Sequence, residues 1–217
     1  MARDRRVAGV GGLVFAVALV VGFTFFGPRG GSYTASSMSN FIGQSSTNMI
    51  ISIYLFGASI IGLLVLMAYL TETFMSGGSH IRLTWGASTL AAGSFLVGWS
   101  LYFAPVTSII SGGTAIDPSI AYTFINAGFV VLFGAGGMFL GMALVTLAIW
   151  GSSAPMWVRA VNGLAGLSAF LSWAFLLASK WSASQWLPIP FYVVLLWGLV
   201  IGGWLLVTSP LPREPTR

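Results

Sequence analysis

Hydrophobic residues fall in long blocks separated by short polar intervals, and block length is the first informative quantity. A helix needs about 20 apolar residues to cross the hydrocarbon core of a bilayer. Six runs meet that length: Val7 to Phe26, Met49 to Leu70, Leu83 to Ala104, Pro118 to Trp150, Met156 to Leu177 and Phe191 to Val207. The fourth run has about 33 residues, on the order of 50 Å as a helix, so it must tilt, bend or extend into the headgroups. Its cluster Gly134, Gly136 and Gly137 is the expected place for a bend. The expected fold is all-α, a polytopic membrane protein with one six-transmembrane-helix domain over residues 1–217. An alternative treats the first run as a cleaved signal peptide, which leaves five helices. That run is longer than a signal h-region, and Gly27-Pro28-Arg29 follows it in place of small residues at a cleavage site.

Composition agrees with the block pattern. The chain is 57% hydrophobic and 6% charged, against about 25% charged in soluble domains. With nine Lys and Arg against four Asp and Glu, the net charge is +5. The basic residues stand at termini and between runs, so their pattern reads as membrane topology rather than a nucleic-acid footprint. Placing the N-terminus inside puts Arg3, Arg5, Arg6, Arg82, Arg159, Arg213 and Arg217 on the cytoplasmic side, with Arg29 and Lys180 outside. Trp85, Trp150, Trp157 and Trp204 then gather at the inner boundary, and Tyr102, Tyr122, Trp181 and Trp186 at the outer one. Both termini are expected to be cytoplasmic.

Several chemistries lack their residues. With no Cys and one His, thiolate zinc sites, iron–sulfur clusters, disulfides and bis-His haem ligation are outside this chain's means. No ionisable residue lies near mid-membrane. Arg159 is about one turn into the fifth run and can snorkel to the headgroups, and Glu72 closes the second run. Carboxylate proton relays, a mid-span Schiff-base lysine and intramembrane protease constellations are therefore disfavoured. No catalytic activity, cofactor or metal is expected.

The polar groups left inside the spans are amides and hydroxyls, including Asn126, Asn162, Ser52, Ser59, Ser88, Ser94, Ser100, Thr146, Ser168 and Ser172. Such groups commonly bond between helices. Asn126 and Asn162 are candidate ligand contacts expected near opposite faces of the membrane, and Trp99, Trp173 and Trp197 are candidates for an apolar ligand. Small residues four apart (Ala8/Gly12, Ala58/Gly62, Gly137/Gly141, Gly198/Gly202) mark close helix crossings inside the bundle or between subunits. Outside the spans, Gly27 to Asn48 reads as an interfacial helix or a linker. Pro105 to Asp117 reads as a second outer loop, with Asp117 as N-cap and Pro118 as first helical residue. Glu72 to Arg82 reads as a polar turn in which Glu72 pairs with Arg82 or Arg159.

The flanked first helix Arg6-Val-Ala-Gly-Val-Gly-Gly, the segment Asn48-Met-Ile-Ile-Ser-Ile-Tyr-Leu-Phe-Gly and the turn Ala154-Pro-Met-Trp-Val-Arg159 resemble a family of uncharacterised six-helix membrane proteins common in actinobacteria and other bacteria. The resemblance implies a bacterial origin and a six-helix bundle, and no site residues. The functional expectation is a non-catalytic protein of a bacterial plasma membrane, an accessory or interaction subunit or a homo-oligomer. Its partners are the bilayer and protein subunits, not nucleic acid. The alternative is a carrier for a neutral apolar ligand such as a lipid, quinone or pigment, and behind it a uniporter or channel lined by hydroxyls.

Overall fold

A computed structural model describes residues 2–24, 46–110, 117–178 and 188–208, and all regular structure among them is helical. The helices are α1 (Ala2–Thr24), α2 (Ser46–Phe74), α3 (Ser79–Ile110), α4 (Pro118–Phe129), α5 (Gly137–Trp150), α6 (Met156–Ala178) and α7 (Pro188–Val207). A π-helical segment, Val130–Gly136, joins α4 to α5 in one continuous rod. Among the described residues, five stretches are long and apolar enough to cross a membrane: Arg3–Phe23, Thr47–Phe74, Ser79–Pro105, Ser119–Trp150 and Pro190–Val207. Helix α6, which carries Arg159 and Asn162, is not among the five.

Helix ends lie beyond the apolar blocks, because polar residues at a boundary still gain intrahelical hydrogen bonds. Helix α1 takes in Arg3 to Arg6. Helix α3 continues through Pro105, where the sequence expects a loop. Proline there removes one backbone bond and crowds the preceding turn, a defect that helices in or near a membrane tolerate when neighbours re-satisfy the freed carbonyl. The expected outer segments Gly27 to Asn48 and Pro105 to Asp117 otherwise lie largely outside the described residues. The opposite turn shrinks to Met75 through Gly78. Gly77 and Gly78 hold φ of 63° and 91°, a left-handed region that residues with a Cβ rarely enter.

Packing follows chain order and closes on itself. Helix α1 packs on α2, α2 on α3, α3 on the α4–π–α5 rod, that rod on α6, α6 on α7, and α7 back on α1. Contacting residues run in opposite directions at successive seams, so neighbours are antiparallel. Gly9 meets Gly202 while Gly12 meets Gly198, and Gly137 meets Ala169 while Gly141 meets Gly166. One end of the ring therefore gathers Arg3, Arg5, Arg6, Glu72, His80, Arg82 and Arg159 with Trp85, Trp150, Trp157 and Trp204. Asp117, Tyr102 and Tyr122 lie toward the other end.

The small-residue pairs act inside the bundle. A Cβ added at Gly12 would lie 2.9 Å from the Gly198 oxygen, one at Gly11 2.9 Å from the Gly62 oxygen, and one at Gly98 2.9 Å from the Gly128 oxygen. One at Gly141 would lie 2.9 Å from the Gly166 oxygen. At these crossings backbone rests on backbone, which maximises dispersion contact where lipid leaves no hydrophobic drive between helices. The glycine cluster where the sequence places a bend in the fourth run lies in and just after the π-helical segment, where the Gly137 N–H reaches back to the Leu132 oxygen. An i→i+5 turn holds one extra residue and turns α5 by about 100° relative to an unbroken α-helix.

Candidate functional site

Aromatic side chains from five elements fill the half of the ring nearer Asp117. Trp99, one of the sequence candidates, lies 6% exposed and stacks on Phe56 with centroids 3.7 Å apart and planes 6° apart. Phe23 meets Phe56, Trp99 and Phe191 edge-on at 5.3 to 5.5 Å. Phe133 of the π-helical segment meets Phe191 edge-on at 5.4 Å. Quadrupole attraction favours the T-shaped pairs, so Phe23, Phe133 and Phe191 are fixed in orientation as well as volume.

A cavity of about 20 Å³ sits beside this cluster, lined by Phe15, Ser59, Phe95, Trp99, Phe133 and Phe191 among others. One water needs roughly 10–15 Å³, whereas pockets for drug-sized ligands run to about 300–1,000 Å³. The Ser59 hydroxyl, its polar contributor, already donates to the Phe56 carbonyl oxygen at 2.8 Å. At that volume the cavity does not admit a ligand the size of a quinone.

The other sequence candidates do not converge on this cavity. Asn162, 1% exposed, accepts at Oδ1 from the Trp197 indole N–H at 2.7 Å, joining α6 to α7. Both candidates are thus held by each other, and Trp197 also meets Phe15 edge-on at 6.2 Å. Asn126 is half-buried on α4 toward the opposite end. The side chain of Trp173 lies outside the described residues. Of the span hydroxyls, Ser52 and Ser168 cross between helices, donating to the Gly22 and Pro190 oxygens. Ser59, Ser88, Ser100, Thr146 and Ser172 bond back to their own helix.

At the arginine-rich end, three helix C-termini receive donors from other segments. Arg159 donates from Nε to the Ala148 oxygen at 2.8 Å and from a terminal nitrogen to the Ile149 oxygen at 3.1 Å, covering the end of α5. Ser153 donates to the Phe74 oxygen at 2.9 Å, at the end of α2. Arg5 donates to the Trp204 oxygen in the last turn of α7 at 3.5 Å. Arg159 and Ser153 satisfy carbonyls at the ends of α5 and α2, and the two arginines complement the dipoles of α5 and α7. Arg159 thus serves carbonyls rather than the Glu72 pairing its sequence position suggested. His80 stacks on Trp150 at 5.8 Å.

Asp117 holds the opposite end of the rod. Its Oδ1 accepts from the Ser119 N–H at 2.7 Å and from the Ser119 hydroxyl, with Pro118 in the first turn, as the sequence expects. The Ser119 hydroxyl and then its backbone N–H stabilise the carboxylate and hold its pKa below the ordinary 3.8. Sequence reasoning did not single out Arg5 with Trp204. The usable signal was periodicity: extending the buried stripe Ala8, Gly12 and Phe15 by one turn lands on Arg5 rather than on Arg3 or Arg6. Comparison of the chain with protein-family models, with curated proteins and with solved structures finds no match in any of the three.

Proposed function

We propose that the chain is a non-catalytic integral membrane protein that crosses a bacterial plasma membrane six times, with both termini cytoplasmic, and acts by packing against other subunits or further copies of itself. The observation that carries this reading is the closed helix ring. Its interior is occupied by side chains and glycine crossings, while large apolar residues turn outward, among them Val7, Tyr54, Ile61, Leu90, Leu164 and Val200. An outward apolar perimeter is stable only against lipid or another apolar protein surface. Gathering the described arginines at one end supports the orientation, since cytoplasmic flanks retain Arg and Lys. Helix α6 crosses within the ring, its Arg159 drawn to the inner boundary.

Sodium carbonate extraction tests the membrane placement, and release into the soluble fraction would refute it. Purification from native membranes in mild detergent tests the assembly role. A stoichiometric partner or a defined oligomer is expected, and recovery of a lone monomer counts against it. The alternative, a carrier for an apolar ligand, needs a larger cavity than the one beside Trp99, and it requires that native mass spectrometry detect such a ligand retained on the protein.

A further inference from the structure

Among the described residues, Arg5 is a buried charge with no opposite charge against it. Its side chain is 6% exposed, and Trp204 meets it through both ring and backbone oxygen. The Trp204 ring centroid lies 5.8 Å from the guanidinium carbon, and the Trp204 oxygen accepts one N–H at 3.5 Å. That oxygen already accepts the Thr208 N–H at 3.1 Å and the Thr208 hydroxyl at 2.8 Å. The Arg5 bond is thus the longest of three to one acceptor, at the outer limit of hydrogen-bond geometry. A guanidinium carries five N–H donors in a planar fork, and no carboxylate pairs with this one among the described residues. A charge removed from water is costly unless it is paired, more so beside hydrocarbon.

Its surroundings indicate what pairs with it. Arg3 and Arg6 are exposed on the same turns of α1 with Asp4 beside them, so the charge around Arg5 is net positive. Trp157, 41% exposed, meets Trp204 edge-on at 5.1 Å, giving an amphipathic aromatic wall of the kind that sits at headgroup depth. A phosphodiester offers a negative charge with two oxygens matched to the guanidinium fork, and anionic lipid concentrates at a cytoplasmic leaflet. We propose that Arg5 anchors a binding site for the headgroup phosphate of an anionic phospholipid, with Arg3 and Arg6 adding charge and Trp157 and Trp204 packing beside the lipid. The site goes beyond the assembly role and rests on the membrane placement, which carbonate extraction tests separately.

The test uses the full chain in nanodiscs of equimolar phosphatidylglycerol and phosphatidylcholine, released for native mass spectrometry. Wild type is expected to retain one phosphatidylglycerol over phosphatidylcholine by on the order of tenfold. Arg5→Gln loses that preference, Arg5→Lys keeps only part of it, and Arg82→Gln, at the same end on α3, leaves it unchanged. Equal retention of both lipids by wild type overturns the proposal and leaves an acidic partner side chain as the counter-charge. An unchanged preference in Arg5→Gln overturns it too. If Arg5→Gln does not fold, the wild-type ratio and Arg5→Lys decide. In pure phosphatidylcholine discs, inorganic phosphate is expected to add no thermal stability; stabilisation equal to that from phosphatidylglycerol would replace the lipid with a soluble anion.

Discussion

The seam between α1 and α7 and the seam between α6 and α7 join one helix to its two neighbours by opposite means. At the first, glycines bring the chains so close that an added Cβ at Gly202 would stand 2.8 Å from the Gly9 oxygen. At the second, side chains carry the contact, through the Trp197 to Asn162 bond and the Ser168 donation to the Pro190 oxygen. The glycine crossings themselves tolerate no added volume and involve no polar side chain, the Arg5–Trp204 contact lying at the end of the seam. Polar side-chain seams have room to repack, yet each deleted partner strands a buried donor or acceptor. The two seams should therefore fail under different substitutions.

The largest effect is expected from volume at the glycine seam. Gly12→Leu must push against the Gly198 oxygen and the Gly202 backbone, and should destabilise the protein by about 3 kcal/mol in reversible unfolding from mixed micelles. Gly93→Leu, with nothing within 4 Å of its Cβ position, should change stability by about 0.5 kcal/mol or less. Equal losses at both positions would erase the distinction. At the polar seam, Asn162→Leu should cost about 2 kcal/mol. Adding Trp197→Phe should cost less than the sum of the singles, because the pair shares one bond; strict additivity would deny it.

Smaller effects are expected at the helix ends. Arg159→Gln should cost about 1 kcal/mol and speed hydrogen exchange over the last turn of α5, with α2 unaffected. Asp117 gives a pH dependence of known sign. Its carboxylate titrates below 3.8 when folded, so the unfolded chain binds the proton more readily, and the stabilisation is present above the ordinary value. It is lost as pH falls from 3.8 through the lowered native value, seen as faster exchange at the start of α4. Asp117→Asn should abolish that acid-range change, and a rise in protection on acidification would reverse the assignment.

What the sequence makes legible is local or periodic. The Asp117–Pro118 start is readable because a cap acts on the two residues beside it. The pairs Gly137/Gly141 and Gly198/Gly202 are readable because their spacing is the helix repeat itself. Trp197 as the partner of Asn162 lies 35 residues away, and Trp204 as the seat of Arg5 lies 199 residues away. No local pattern distinguishes these tryptophans from their neighbours. The π-helical register is hidden for another reason: where nearly every residue is apolar, a one-residue shift leaves the hydrophobic pattern unchanged. For the same reason apolar content gives the span of α3 but not its passage through Pro105.

Closure of the ring by the first and last helices sets an order for biosynthesis. The Gly11 side of α1 can engage Gly62 once α2 has emerged, but its Gly9 and Gly12 side waits until α7 has emerged. Throughout that interval a glycine-faced helix stands open to any other helix able to approach it closely. Truncation before α7 therefore does more than delete a helix: it leaves the nascent protein with an unfilled, adhesive face, a substrate for membrane quality control.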